Sequence, residues 1–223
     1  QHRGKGLGVL ILKEAIKICG DRTRIWSHGD LPAAKAIAAS LKLERLWSNL
    51  LMSKSLGEIQ PVTSNYPIRT FIPLLDNQAF LALNNKVFAD YPDQGGWSED
   101  DLKVRLNEDW FEKEGFFVAE DKGKLIGFCW TKIHGAHTHS HNGEDDDHGH
   151  DALGEIYVLA VNPDYKGQGV GRDLTITGLN YLKYQGLNNV MLYVGVENKP
   201  AFNLYKSLGF NEFGSDVMYR VGK

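Results

Sequence analysis

The chain has 223 residues, a 42 % hydrophobic and 24 % charged composition and a formal net charge of -3, the make-up of an ordinary globular protein of one large or two small domains. That charge gives no electrostatic footprint for nucleic acid, which demands a clustered basic surface, and no apolar run reaches the roughly 18 residues of a membrane span. Cys19 and Cys129 stand far apart without metal-ligand spacing, so the expectation is a cytoplasmic protein of a reducing compartment.

Taken in chain order, the opening "QHRGKG" lacks the apolar stretch of a signal peptide. From Arg3 to Ile18, "RGKGLGVLILKEAIKI" is a basic residue, three alternating glycines and an amphipathic helix. "TRIWSHG" reads as a short strand and "LPAAKAIAASLKL" as a helix opened by Pro-Ala. Leu56 to Pro67, "LGEIQPVTSNYP", has the polar, proline-containing composition of a linker. "NQAFLALNNKVFADY" carries Phe80, Leu83, Val87 and Phe88 at helical spacing. "FFVAEDKGKLIGFCWTKI" is a hairpin around a tight "DKGK" turn.

The next segment, His134 to His150, holds six of the eight histidines. Alternating histidines are able to chelate a transition metal; the same composition, almost without apolar residues, suits a solvated hairpin extension, and that second reading is the one adopted. "GEIYVLAVNP" is a strand stopped by Asn162-Pro163. A glycine loop and helix follow, then the strand "VMLYVGV", the helix "KPAFNLYKSLGF" and the strand "SDVMYRV".

The chain repeats itself. Basic residue, glycine loop, helix, strand and Pro-Ala helix recur in the same order at an offset of 163 residues at Arg3 and Lys166 and 168 at Pro32 and Pro200. The first copy takes residues 1–56, a linker 57–67, and the second copy 68–223. The first copy begins at its glycine loop, so the expectation is an incomplete first unit and a fragment of a larger protein. Counted from the shared Pro-Ala, Tyr205 falls opposite Ile37, and counted back from the shared Ser-Leu, opposite Ala38. Neither carries a hydroxyl.

The loop "YKGQGVGRD" has neither the G-x-G-x-x-G spacing of a dinucleotide fingerprint nor the Gly-Lys-Ser/Thr of a P-loop. What remains is a run of backbone N–H groups before a helix, a concave nest for an anion. Lys166, Gly167, Gln168, Gly169, Val170, Gly171 and Arg172 here resemble the pyrophosphate loop of the GNAT N-acetyltransferases. That family more often has Gln or Arg where Lys166 stands, so the charge is kept and the bidentate fork lost.

"DQGGW", "FCWTKIH", "GEIYVLAVNP" and "MLYVGVENKPAFNLYKSLGF" narrow the resemblance to the mycothiol synthases, an actinobacterial family of tandem GNAT enzymes. The resemblance covers nearly the whole chain and is strongest from Gly154 to Phe210. One departure is Gly195, where the family more often has an acidic residue.

The resemblance implies an α/β protein of the α+β type, with a mixed, mostly antiparallel sheet flanked by helices. It implies acetyl-CoA as donor and a small thiol-containing amine, a cysteine–glucosamine–inositol conjugate, as acceptor. Leu159, Ala160 and Val161 would line the pantetheine, and Asn198, Ala201 and Asn203 would complete the cofactor site. Arg3, Gly6 and Gly8 would form the corresponding loop in a first unit that holds acetyl-CoA without turning it over. Asp93, Lys132 and Tyr193 carry over as acceptor contacts.

The residues themselves frame the chemistry. Acyl transfer to an amine needs a base for the ammonium proton and an acid for the leaving thiolate. Glu155, at the head of an otherwise apolar strand, suits the first role and also reaches the acceptor; Tyr205 suits the second. Nothing in the reaction needs a metal, and a monomer is expected. A different small amine or a protein N-terminus as acceptor, or a module that binds acetyl-CoA without catalysis, stays open at this point.

Overall fold

The computed structural model describes residues 5–58, 60–91, 94–135 and 152–222. In chain order the elements are α1 (Leu7–Cys19), β1 (Arg24–Ser27), α2 (Pro32–Ser40), β2 (Leu43–Ser55), β3 (Ile68–Thr70), α3 (Asn77–Val87) and α4 (Glu99–Leu106). Then come β4 (Phe116–Asp121), β5 (Lys124–His134), β6 (Leu153–Val161), α5 (Val170–Tyr184), β7 (Asn189–Gly195), α6 (Lys199–Ser207) and β8 (Asn211–Val221). Contacts divide the chain into two compact units, one of Ser53–Leu192 and one of Gln1–Met52 with Tyr193–Lys223.

In the unit that joins both chain ends, the strands run in the order β1, β8, β2 and the end of β7. The last strand of the second repeat copy therefore lies between two strands of the first, antiparallel to β1 in the register Arg24↔Arg220 to Ser27↔Val217. Asp216 on β8, only 3 % exposed, accepts from the backbone N–H of Gly29 at 3.0 Å and bonds His28 Nδ1 at 2.7 Å, which fastens β8 to the turn after β1. Both Pro-Ala helices open on a proline in the first turn, where its missing N–H costs nothing. Helix α1 has no buried residue, and Leu7, Leu10, Ile11 and Ile18 are 46–81 % exposed.

In the larger unit the order is β7, β6, β5, β4, β3, antiparallel throughout except for the parallel pair β6–β7. Lys122 (φ 49) and Gly123 (φ 73) make the β4–β5 turn, the two positive-φ residues that a tight right-twisted hairpin requires. Helices α3 and α4 pack on a cluster of Phe71, Phe80, Leu102, Phe116, Phe128 and Trp130 on one face of the sheet. Ser98 and Asp101 form a reciprocal capping box that starts α4. Helix α5 covers the other face through Val170, Leu174, Leu179 and Leu182. Gly178 lets it approach closely, since a Cβ there would sit 2.9 Å from Cys129 Sγ and 3.0 Å from Ile156 Cδ1. Strands β2 and β3 were not foreseen from sequence: "LERLWSNLLMSKS" lacks a clean alternation, and three residues of β3 are too few to show one.

A charged clamp ties the far edge of this sheet together. Arg69 grips Asp76 with Nη1 at 2.7 Å and Nη2 at 2.9 Å, and Nη2 also reaches Glu120. Asp76 accepts a further bond from Ile72 N at 2.7 Å. The guanidinium's hydrogen bonds, helped by that backbone N–H, hold the Asp76 carboxyl below the usual carboxylate range. A depressed carboxyl stabilises the fold above its unfolded pKa of about 3.9, and that stability is lost as pH falls through the lower folded value. Asp76→Asn is therefore expected to cost about 1.5–3 kcal/mol at pH 7, the worth of hydrogen bonds to a charged partner. Urea unfolding should show the gap from the parent closing below about pH 4; a gap independent of pH would show that the carboxylate's charge is not what holds the clamp.

Candidate active site

One extra residue in β6 arranges the site. Strands β5 and β6 pair as Gly127↔Val161 to Trp130↔Val158, then resume as Thr131↔Ile156, Lys132↔Glu155 and His134↔Leu153. Tyr157 is the bulged residue. Because faces alternate along a strand, a shift of one residue exchanges them. Glu155 thereby shares a face with Lys132 and His134, whereas Ile156 turns toward Gly178 of α5.

Glu155 is 6 % exposed, and its Oε2 lies 2.7 Å from Nε2 of His134, whose side chain is 38 % exposed. Lys132 is held elsewhere: its Nζ lies 4.4 Å from the centre of the Trp110 ring and 5.7 Å from that of Tyr157. Those two rings meet edge to face at 5.0 Å, and both contact Trp130 in the core. A buried carboxylate thus stands beside a cation turned away from it, next to an imidazole that reaches solvent.

Below the bulge, β6 loses one neighbour. It pairs with β5 over its whole length but with β7 only at Gly154↔Val190, Glu155↔Met191 and Ile156↔Leu192. The stretch from Tyr157 to Val161 presents a backbone edge not paired by the β7 residues of this register. Of its side chains, Ala160 is buried in the core, while Leu159 and Val161 are half-buried.

The edge leads into the glycine loop. Asn162 accepts from Asp164 N, and Pro163 to Tyr165 make a single tight turn. Gly167 (φ 78) and Gly169 (φ 86) are left-handed, and Gly169 is the N-cap of α5 with no side-chain cap. The first-turn N–H groups are thus free of any side-chain cap on the cap residue itself. A Cβ on Gly167 would meet nothing within 4 Å, and one on Gly169 only Asp173 Oδ2 at 3.8 Å. Open space over uncapped, positively poised N–H groups fits a pyrophosphate, and the β6 edge fits a pantetheine amide chain. Lys166 and Gln168 are exposed beside the loop.

The segment taken as a linker braces this loop. Tyr66 donates to Gln168 Oε1 at 2.6 Å and meets Tyr165 edge to face at 5.7 Å; Arg172 Nη2 reaches Gln60 Oε1 at 3.3 Å. Tyr165 in turn donates to Asp121 Oδ2 at 2.8 Å.

The other expected residues lie in the second compact unit. Gly6 (φ 74) is the left-handed N-cap of α1, as Gly169 is of α5, and Ile37 of α2 packs against Gly8. Asn198 caps α6, its Oδ1 accepting from Ala201 N at 3.2 Å; Asn203 is exposed. Tyr205 is 5 % exposed with its ring 5.7 Å from that of Phe210, and Tyr193 is 39 % exposed. Arg3, Asp93 and the histidine-rich stretch from 136 onward fall outside the described residues. Among the described residues, no helix is long and apolar enough to cross a membrane.

Sequence reasoning missed His134 as the partner of Glu155, grouping it with the histidines that follow. It also missed Trp110, Tyr157, Gln60 and Tyr66. The alternation of "WTKIH" against "GEIY" held a clue to the first of these, but only once the bulge is known.

Residues 81–210 match the acetyltransferase (GNAT) family. The chain is 46 % identical over 223 residues to the mycothiol acetyltransferase of Acidothermus cellulolyticus, covering 99 % of this chain and 68 % of that protein. It is 43 % identical to that of Thermobispora bispora, covering 98 % and 72 %. Among solved structures, it is similar to a GCN5-related N-acetyltransferase from Sphaerobacter thermophilus (TM-score 0.72, 19 % identity, 98 % of this chain and 69 % of that one). It is also similar to a tandem GNAT protein of the clavulanic acid biosynthesis pathway (TM-score 0.66, 16 % identity, 99 % and 72 %). The family match and relatives of this identity and extent lead to one assignment: the chain belongs to the GNAT acetyltransferases and, among them, to the mycothiol acetyltransferase family.

Proposed function

We propose that the chain transfers the acetyl group of acetyl-CoA to the cysteinyl amine of a cysteinyl–glucosaminyl–inositol conjugate, with Glu155 as general base and Tyr205 as general acid. The observation that carries the reading is Glu155, a buried carboxylate on the strand that runs on from its last β7 pair, Ile156↔Leu192, into the glycine loop. The name shared by the relatives supports the choice of acceptor.

In this reading the backbone N–H groups of Gln168 to Gly171 hold the pyrophosphate, flanked by Lys166 and Arg172. Leu159, Ala160 and Val161 offer the β6 edge to the pantetheine amides, and Asn198, Ala201 and Asn203 line the remainder. Bound acetyl-CoA supplies the acetyl group as an activated thioester. Glu155 accepts a proton from the acceptor ammonium: an N–H bond breaks, an O–H bond forms, and the nitrogen gains the lone pair it attacks with. A C–N bond forms to the acetyl carbon, and as its C–S bond breaks the Tyr205 hydroxyl donates its proton to the departing thiolate sulfur. The second proton that the nitrogen sheds on becoming an amide restores that hydroxyl, and the proton on Glu155 passes to solvent. Lys132 and Tyr193 donate to sugar or inositol hydroxyls, and Asp93 accepts from them. The first repeat copy, through Arg3, Gly6 and Gly8, holds acetyl-CoA without turnover, because Ile37 and Ala38 offer no hydroxyl opposite Tyr205. The enzyme works as a cytoplasmic monomer without a metal.

Three variants test the assignment. Gly169→Ala forces a methyl-bearing residue into φ 86 and onto the loop's open side. Calorimetry should show acetyl-CoA binding at least tenfold weaker, about 1.4 kcal/mol; unchanged affinity in a folded variant removes the loop from the cofactor site.

Glu155→Gln should lower turnover roughly 10²–10⁴-fold, the span for losing a positioned base. Turnover at the parent's level would take Glu155 out of the reaction.

Tyr205→Phe keeps the ring that packs on Phe210 and deletes one oxygen. A drop of roughly 10- to 10³-fold in kcat and kcat/KM together is the mark of an interaction made in the transition state. A raised KM for acetyl-CoA at constant kcat would make Tyr205 a binding residue instead.

A further inference from the structure

The carboxylate of Glu155 has two oxygens, and the structure distinguishes them. Oε2 is 2.7 Å from His134 Nε2. A carboxylate that is to serve as a base is ionised and only accepts hydrogen bonds, so in that role its partner Nε2 is the donor. The contact is diagonal across two strands: Glu155 stands opposite Lys132, and His134 opposite Leu153, two residues along on the same face. The sheet register therefore fixes where the imidazole meets the carboxylate. The neighbouring cation does not compete, because the Lys132 ammonium lies on the Trp110 and Tyr157 rings and no ion pair joins it to Glu155 among the described residues.

We propose that His134 is the positioning residue for Glu155: its Nε2–H holds Oε2, and Oε1 is left to take the proton from the acceptor amine. This rests on the reading of Glu155 as the base. The proton balance is simple. One ammonium N–H bond breaks and one Oε1–H bond forms, while the His134 Nε2–H stays in place throughout. A base oriented by a third group recurs wherever proton transfer depends on geometry. Here the orienting group is also the more exposed of the two, 38 % against 8 % for the side chains, so it screens the carboxylate from water on that side.

The test compares His134→Phe, which fills the ring's space without a donor, with His134→Gln, which keeps an N–H donor on a flexible stem. Each is made alone and on the Glu155→Gln background, and steady-state kinetics are measured with acetyl-CoA and the amine acceptor. The phenylalanine variant should lose about 10- to 100-fold in kcat, the span seen when an orienting partner is taken from a functional side chain. Its KM for acetyl-CoA should stay at the parent value. The glutamine variant should recover most of the loss, and neither change should slow the Glu155→Gln enzyme further. A glutamine variant as slow as the phenylalanine one would overturn the proposal. So would a phenylalanine variant at the parent's rate, or one whose loss persists undiminished on the Glu155→Gln background. If Glu155→Gln alone is silent, the base assignment itself falls, and the two failures are told apart by that single variant.

Discussion

The bulge at Tyr157 is the constraint on which the site depends. Beyond it toward the loop, β6 alternates so that Val158 and Ala160 enter the aromatic core under α3 and α4. Before it, the alternation is shifted by one residue, so Glu155, which an unbroken alternation would point at α5, lies on the opposite face with Lys132 and His134. The parallel pairing with β7 is confined to the three residues before the same point. One inserted residue thus does three things: it moves a carboxylate out from under α5, brings it beside His134 and leaves the following stretch of backbone edge unpaired by β7. Each is a consequence of the two-residue period of a strand, and none requires an unusual side chain.

Burial and charge are set against each other at Glu155. A carboxylate with 8 % of its side chain exposed needs hydrogen bonding to remain there. The obvious cation, Lys132, sits directly opposite in register, yet its charge is taken up by two aromatic faces. A firm Lys132–Glu155 ion pair would favour the ionised carboxylate but also make it a poorer proton acceptor. The aromatic pair formed by Trp110 and Tyr157 keeps that cation available while His134 supplies a hydrogen bond.

Much of this was legible in the sequence where local chemistry decides the outcome. The hairpin turn needed positive φ at Lys122 and Gly123, and "DKGK" announced it. Gly167 and Gly169 are left-handed, which accounts for glycine at those positions, and Gly6 repeats the conformation at α1, so the internal repeat is one of geometry as well as of letters. What was not legible depends on register between distant segments. No local signal says that Tyr157 is skipped, so the partnership of His134 with Glu155 stayed hidden inside a histidine-rich run. Composition made Leu56 to Pro67 look like a bare connection, yet Gln60 and Tyr66 bond the loop side chains Arg172 and Gln168. Strand β8 of the second copy pairing with β1 of the first is equally a long-range choice that repeat alignment does not reveal.

The account stands or falls on where the acetyl group goes. The most direct measurement is mass spectrometry of the product formed from acetyl-CoA and the cysteinyl–glucosaminyl–inositol acceptor, with a thiol-alkylating reagent added after the reaction. The account predicts one acetyl group on the conjugate, located on the cysteinyl nitrogen, with the thiol still free to be alkylated. Acetyl on sulfur, acetyl-CoA hydrolysed without transfer, or no reaction at all would contradict it.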